Sequence, residues 1–153
     1  MAIRNIRINE DQILRKKTKE VDSINERINI LLDDMADTMY KFNGIGLAAP
    51  QIGILKRIFI IDIGDGLIEF INPKIISQKG EQKKIEGCLS LPDLLGEVIR
   101  PEKIKIEALN RNGEIFTIVG EELMARVLSH EFDHLLGTLF KDKAIRFVDD
   151  YED

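Results

Sequence analysis

The sequence predicts an α+β domain: antiparallel strands grouped around a central helix that carries an H-E-x-x-H motif, with an N-terminal amphipathic helix. Three observations carry this. Apolar residues recur at helical spacing in two separated stretches, residues 24–42 and 121–136. Between them lie strand-type runs, one continuous and one alternating. These runs come in adjacent pairs joined by turn residues, whereas a parallel sheet would interleave each strand with a helix.

Each element has its own signal. Ser23-Ile24-Asn25-Glu26 has the Ser-x-x-Glu form of a capping box, and Ile24, Ile28, Leu31, Leu32, Met35 and Met39 then follow at helical spacing until Asn43-Gly44. Residues 44–49 read as a glycine- and alanine-rich loop. Residues 57–63, dense in isoleucine and followed by Gly64 and Gly66, read as a buried strand paired with residues 67–72 in a hairpin. From Gly96 to Val119 the pattern alternates: Lys103, Lys105 and Glu107 interleave with Ile104, Ile106 and Ala108, and Asn112-Gly113 turns the chain into residues 114–119. That is an antiparallel hairpin with one wet face. The last helix, over 121–136, opens on Glu121 and Glu122 and has Gly137 just beyond its end.

No repeat, low-complexity tract or linker divides the 153 residues, so a single domain over 1–153 is expected. The hydrophobic share of 44% suits a chain that buries its own core. With 22 Lys and Arg against 27 Asp and Glu, the net charge of −5 offers no electrostatic basis for a nucleic-acid site. Residues 149–153 are acidic and are expected to fray. No apolar run suits a signal peptide or a membrane span, so the reading is a cytoplasmic chain with no membrane partner. One cysteine excludes an internal disulfide and every zinc site that needs two thiolates.

The two histidines of the chain stand in His130-Glu131-Phe132-Asp133-His134. Residues four apart on a helix differ by about 40° and rise about 6 Å, so both imidazoles reach one ion. About one placement in 78 of two histidines gives this separation by chance. Leu123 and Val127 share their stripe, which turns the histidines inward. Glu131 holds the position from which a carboxylate takes a proton from a water at the metal. Asp133, across the helix, reads either as a supporting carboxylate or as a surface charge. A catalytic site commonly takes three protein ligands, and the third is not within the helix. Cys88, 42 residues before His130 and between Gly87 and Pro92, lies in a stretch expected to be irregular or at a sheet edge. There it is either a small buried apolar residue or a thiolate ligand.

Gly44-Ile45-Gly46-Leu47-Ala48-Ala49 fits G-x-G-x-x-A, but a dinucleotide fingerprint follows a strand and opens a helix, and here a helix precedes it and Pro50 follows. Taken with Pro50-Gln51, with Glu86-Gly87-Cys88-Leu89-Ser90 and with His130-Glu131-Phe132-Asp133-His134-Leu135, this run resembles the three motifs of the peptide deformylases, in their order and spacing. The resemblance extends from the N-terminal segment to about residue 145. Two departures stand out: Ser129 occupies the place where the family commonly has Gln, and only a short element follows Phe140.

The resemblance implies a function and a role for each motif residue. Cys88, His130 and His134 bind one divalent ion, generally Fe(II) in the family, with Ni and Co active and Zn often poor. The ligand set taken alone suggests zinc. The reaction is hydrolysis of the N-formyl group from the initiator methionine of N-formylmethionyl nascent peptides, releasing formate, with transient ribosome contact as a further expectation. Glu131 is the general base and acid, and the Gln51 amide and Leu89 N–H stabilise the oxyanion. Gly46 stays open to the peptide, and Ile45, Leu123 and Val127 line the methionine pocket. Glu86 and Arg100 are expected to pair and brace the cysteine segment. Another small H-E-x-x-H peptidase or amidase is the alternative enzyme. A non-catalytic metal domain closed by Asp133 or Glu86 is the alternative of another class.

Overall fold

A computed structural model describes residues 2–151. Eight strands and two α-helices follow in the order α1 (Glu26–Lys41), β1 (Gly46–Ala48), β2 (Ile58–Ile61), β3 (Ile68–Lys79), β4 (Gln82–Cys88), β5 (Leu91–Arg100), β6 (Lys103–Leu109), β7 (Ile115–Glu121), α2 (Leu123–Leu135) and β8 (Ala144–Val148). Every strand pairing is antiparallel. The strands form a five-stranded sheet in the order β1-β2-β3-β6-β7 and a three-stranded sheet in the order β4-β5-β8.

The isoleucine run of β2 is apolar throughout because both of its faces are covered. Leu47, Ile58, Ile60 and Ile71 pack with Leu31, Leu32, Met35 and Met39 of α1. Their neighbours Ala48, Phe59, Ile61 and Phe70 point the other way and pack with Ala125, Val127, Leu128 and Phe132 of α2. The two helices therefore lie on opposite faces of the five-stranded sheet. A third cluster, Leu14, Leu91, Val98, Leu139 and Phe140, fills the space under the smaller sheet. Among the described residues no helix is long and apolar enough to cross a membrane.

Several expected boundaries move. The first helix starts at Glu26, and Asn25 caps it by accepting from the Ile28 N–H, so the capping box at Ser23 does not form. Gly46–Ala48, expected as loop, is an edge strand whose Leu47 pairs with Ile60. Three residues are too few to show a periodicity, and small side chains weaken the strand signal further. The partner of β2 continues past Asn72 to Lys79, because a register shift between Ile71 and Lys74 accommodates Pro73 within the ladder. Residues 96–119 are not one hairpin: Gly96–Arg100 belongs to β5 in the smaller sheet, and the hairpin proper is β6-β7, with Lys103 opposite Glu121. Its wet face carries Lys103, Lys105 and Thr117, and its dry face Ile104 and Ile106.

Helix α2 begins two residues later than expected. Glu121 ends β7, and Glu122 alone, at φ 53°, joins the strand to the helix. The helix stops where expected. Gly137 takes φ 76°, and a Cβ there would run into the Arg15 backbone, so only glycine fits the left-handed turn. Of the acidic end, Asp149, Asp150 and Tyr151 are described, and Glu152 and Asp153 lie outside the described residues.

Candidate metal centre

Cys88 ends β4, at the edge of the smaller sheet and just past a register shift between Glu86 and Cys88. Irregular and edge were the two readings of this stretch, and both hold. Leu89 and Ser90 form the turn into β5. The bulge and turn place the thiol against α2, where His130 and His134 sit one turn apart. The three ligand atoms lie within 4.8 Å of one another. Cys88 Sγ is 3.4 Å from His134 Nε2, close to the separation of about 3.5 Å that bonds of about 2.3 Å to sulfur and 2.0–2.1 Å to nitrogen subtend at a tetrahedral angle. A thiolate with two imidazoles, one half-buried and two buried, suits a divalent transition ion. The residues present fit such an ion.

A chain of charges surrounds the histidines. Glu86 sits beside both His130 and Arg100, with His130 Nδ1 2.9 Å from its Oε1 and two bonds of 2.9 Å from the guanidinium. Burial opposes ionisation of Glu86, but these contacts outweigh it and hold the carboxyl down at about 2. An ionised carboxylate only accepts, so His130 Nδ1 carries a proton and Nε2 is turned toward the site. Arg100, fully buried, also donates to Asp133 at 2.6 Å and to Ser129 Oγ at 3.3 Å, and Lys143 reaches Asp133 at 2.8 Å. The expected pair of Glu86 and Arg100 is thus present and longer than foreseen: Lys143, Asp133, Arg100, Glu86 and His130 form one file. Of the two readings of Asp133, the surface charge is excluded, since the residue is buried and twice paired. Both carboxylates once weighed as a fourth ligand are committed to Arg100.

Glu131 is buried, and its Oε1 has no hydrogen-bond partner among the described residues. Its Oε2 lies 4.0 Å from His130 Nε2. Burial pushes its carboxyl up to about 7, with the nearby charges of His130 and Arg100 pulling the other way. A carboxyl poised there exchanges protons readily near neutral pH. Gln51 is held on both sides. Its Oε1 accepts from the Ala48 N–H at 2.9 Å, and its Nε2 donates to Ser90 Oγ at 3.1 Å and lies 3.5 Å from Cys88 Sγ. The amide hydrogens therefore point at the cysteine turn.

A cavity of about 980 Å³ opens in front of these groups. Its walls include Gln51, Cys88, Leu89, His130 and Glu131, together with Ile45, Gly46, Leu123 and Val127. His134 lies behind the wall, buried, with no hydrogen-bond partner for its Nδ1 among the described residues.

Residues 3–149 match the family model described as polypeptide deformylase. The peptide deformylase of Acetivibrio thermocellus is 61% identical over 152 residues, covering 99% of this chain and 89% of the relative. The chain belongs to the polypeptide deformylase family. The family member from Alkaliphilus metalliredigens is 57% identical over 95% of this chain and 99% of its own length. The crystal structure of the Thermotoga maritima peptide deformylase superposes with a TM-score of 0.92 at 39% identity, covering 94% of this chain and 99% of that one. The Ehrlichia chaffeensis peptide deformylase in complex with actinonin gives 0.93 at 35% identity, over 95% and 91% of the two chains.

Within this deformylase frame, the structure brings all ten singled-out residues to one place, His134 alone standing behind the cavity wall. It differs on exposure. Val127 is buried, whereas Leu123 at 40% and Ile45 at 45% stand at the mouth of the cavity, because Leu123 opens the helix and Ile45 precedes the edge strand. Two site neighbours escaped the sequence reading, Arg126 and Tyr151, and Ser90 stood there only as the last residue of its motif, without a role. Arg126 carried a usable signal, since it lies four residues before His130 and therefore on the same helix face. Tyr151 carried none, because only the return of the chain after β8 brings it to the cavity, and Ser90 is buried behind the wall, where the β4-β5 turn sets its hydroxyl against Gln51.

Proposed function

We propose that this chain is a metal-dependent hydrolase that removes the N-formyl group from N-formylmethionyl peptides and releases formate. The observation that carries the reading is the convergence of Cys88, His130 and His134 within 4.8 Å, beside a buried Glu131, on the wall of one cavity, in a chain of this family.

Cys88, His130 and His134 hold one divalent ion, which when bound supplies Lewis-acid polarisation and favours the ionised form of groups beside it. Fe(II) is the proposed ion in the cell, with Zn, Ni or Co able to substitute. The chain's own residues do the rest. Glu131 Oε2 takes a proton from the attacking water and returns it to the leaving amine, so the carboxylate ends the cycle as it began. Gln51 Nε2 and the Leu89 N–H donate to the oxygen on which charge develops, each donor of this kind contributing about 2.7–4 kcal/mol to lowering the barrier. Their positions are set before substrate arrives, Gln51 by Ala48 and Ser90, Leu89 by the two-residue turn. Ile45, Leu123 and Val127 receive the methionine side chain, and Gly46 leaves its backbone open alongside. Glu86 orients His130 through Nδ1, and Arg100 holds Glu86 in turn.

The substrate is a nascent chain, which places the work in the cytoplasm with transient contact at the ribosome, carried out by one domain over residues 1–153. The test is formate release from formyl-Met-Ala-Ser by anaerobically purified protein, with metal analysis of the same sample. Glu131→Gln is expected to keep its metal and fold while losing activity by at least about a thousand-fold. Absence of formate with Fe(II), Ni(II), Co(II) and Zn(II) alike overturns the reading. Cleavage of internal peptide bonds instead of deformylation assigns the site to another peptidase.

A further inference from the structure

Arg126 faces the cavity from α2, between Leu123 and His130. At about 100° per residue it lies about 60° to one side of Leu123, and His130 about 20° to the same side, so all three share the face that meets the cavity. Its Nε is sealed from solvent and has no hydrogen-bond partner among the described residues. Other arginines in the structure are satisfied by carboxylates: Arg100 by Glu86 and Asp133, Arg111 by Glu69 and Asp33. A buried guanidinium N–H without an acceptor is costly, and such a group in a ligand cavity finds its partner on the ligand.

The side chains flanking Arg126 narrow the choice. Leu123, Val127 and Ile45 present only carbon to the cavity, and the arginine stem adds more. A carbon-lined pocket in which the sealed, unpartnered N–H is Arg126 Nε suits an unbranched apolar side chain carrying one acceptor. The thioether of methionine is such a group, a polarizable sulfur that accepts weakly. Norleucine has the same shape without the acceptor, and methionine sulfoxide has a much stronger one.

We propose that Arg126 is a specificity-determining residue: its Nε–H donates to the sulfur of the substrate's first side chain and so separates methionine from apolar isosteres. This rests on the deformylase reading above, which assigns the neighbouring residues to the methionine pocket.

The experiment compares formyl-Met-Ala-Ser, formyl-norleucyl-Ala-Ser and formyl-(methionine sulfoxide)-Ala-Ser, each by kcat/KM, in the wild-type holoenzyme and in Arg126→Met and Arg126→Gln. Wild type is expected to favour methionine over norleucine by at least about five-fold and to accept the sulfoxide within about ten-fold of methionine, since a site with an unpaired donor rejects the analogue that lacks the acceptor. In Arg126→Met, which keeps an unbranched apolar stem, the methionine to norleucine ratio falls to about one, and the sulfoxide loses at least a further ten-fold. Arg126→Gln, which keeps a shorter donor, retains part of the sulfoxide tolerance. A wild-type ratio near one overturns the proposal without any variant, and so does a ratio that Arg126→Met leaves unchanged. If no peptide is deformylated, the deformylase reading falls first. If all three are turned over equally well, only the role of Arg126 falls.

Discussion

Gly46 and Glu131 are in contact. A Cβ on Gly46 would lie 2.6 Å from Glu131 Oε2 and 2.9 Å from its Cγ and Cδ, well inside any allowed approach. The glycine thus has a second reason to be small besides leaving the backbone open to a peptide: it makes the space in which the carboxylate stands. Glu131 has no hydrogen bond on Oε1 among the described residues, so the contact with the edge strand β1 helps to position it.

Gly46→Ala is therefore expected to push the Glu131 carboxylate aside while leaving the three ligand residues where they are. A displacement on the order of 1 Å costs about a hundred-fold in rate. The check is formate release from formyl-Met-Ala-Ser together with metal content. A variant that keeps its metal and its rate shows that the carboxylate has room to spare.

Arg100 is the centre of the buried charge file, fully enclosed and bonded to Glu86, Asp133 and Ser129. Arg100→Ala leaves two buried carboxylates without their shared cation, and breaking a buried pair in this way costs about 3–5 kcal/mol. For a chain of this size that corresponds to a fall of roughly 10 °C in Tm. Metal content is expected to fall as well, because Glu86 no longer holds His130. An unchanged Tm with unchanged metal shows that the file braces nothing.

Removing the ion with a chelator is expected to abolish hydrolysis and to lower Tm. A ligand at 100 times its Kd stabilises by about 2.7 kcal/mol, so the fall is roughly 5–10 °C at this chain length. Re-addition of a divalent ion restores both. The measurement is a thermal melt with and without chelator, run beside Cys88→Ser, in which the chelator-dependent shift shrinks.

Asp142 joins the two ends of the fold, bonded to Arg15 Nη2 at 3.0 Å and to the Leu139 N–H at 2.9 Å. Arg15 draws its carboxyl below the ordinary value of 3.8, against a smaller opposing effect of burial, and the Leu139 N–H adds to this. A carboxylate with a depressed folded value contributes stability above its unfolded value, and that contribution is lost as pH falls from about 4 through the depressed value. Asp142→Asn removes the group that titrates. In acid melts its Tm is expected to fall less steeply than that of wild type below pH 4, with the difference between the two proteins greatest at neutral pH. Parallel curves across that range exclude a linked role for Asp142.

Much of the site could be read from the chain because its parts are local. His130, Glu131 and His134 lie within one helical turn and a half, and helix geometry alone turns the two imidazoles the same way. Cys88 was open to two readings until the family motifs were compared, since a cysteine at a strand end is equally a small buried residue. The strand patterns of residues 103–121 were legible because one face is wet. Residues 46–48 and 73–79 were not: the first stretch is too short to alternate, and the second carries a proline that a bulge in its own strand accommodates.

The sequence by itself determined the helix that carries the histidines, the two-sided burial of residues 58–61, the stop at Gly137 and the soft-ligand inventory of one Cys and two His. These follow from periodicity, backbone freedom and residue chemistry, which act over a few positions. The tertiary structure decided which side chains meet across the gap between the sheets. It set Gly46 against Glu131, Asp133 on the arginine that Glu86 already holds, and Cys88 3.4 Å from His134. These contacts of α2 join residues 33 to 85 positions apart, where no local rule reaches, and only the packing of α2 between the two sheets selects them.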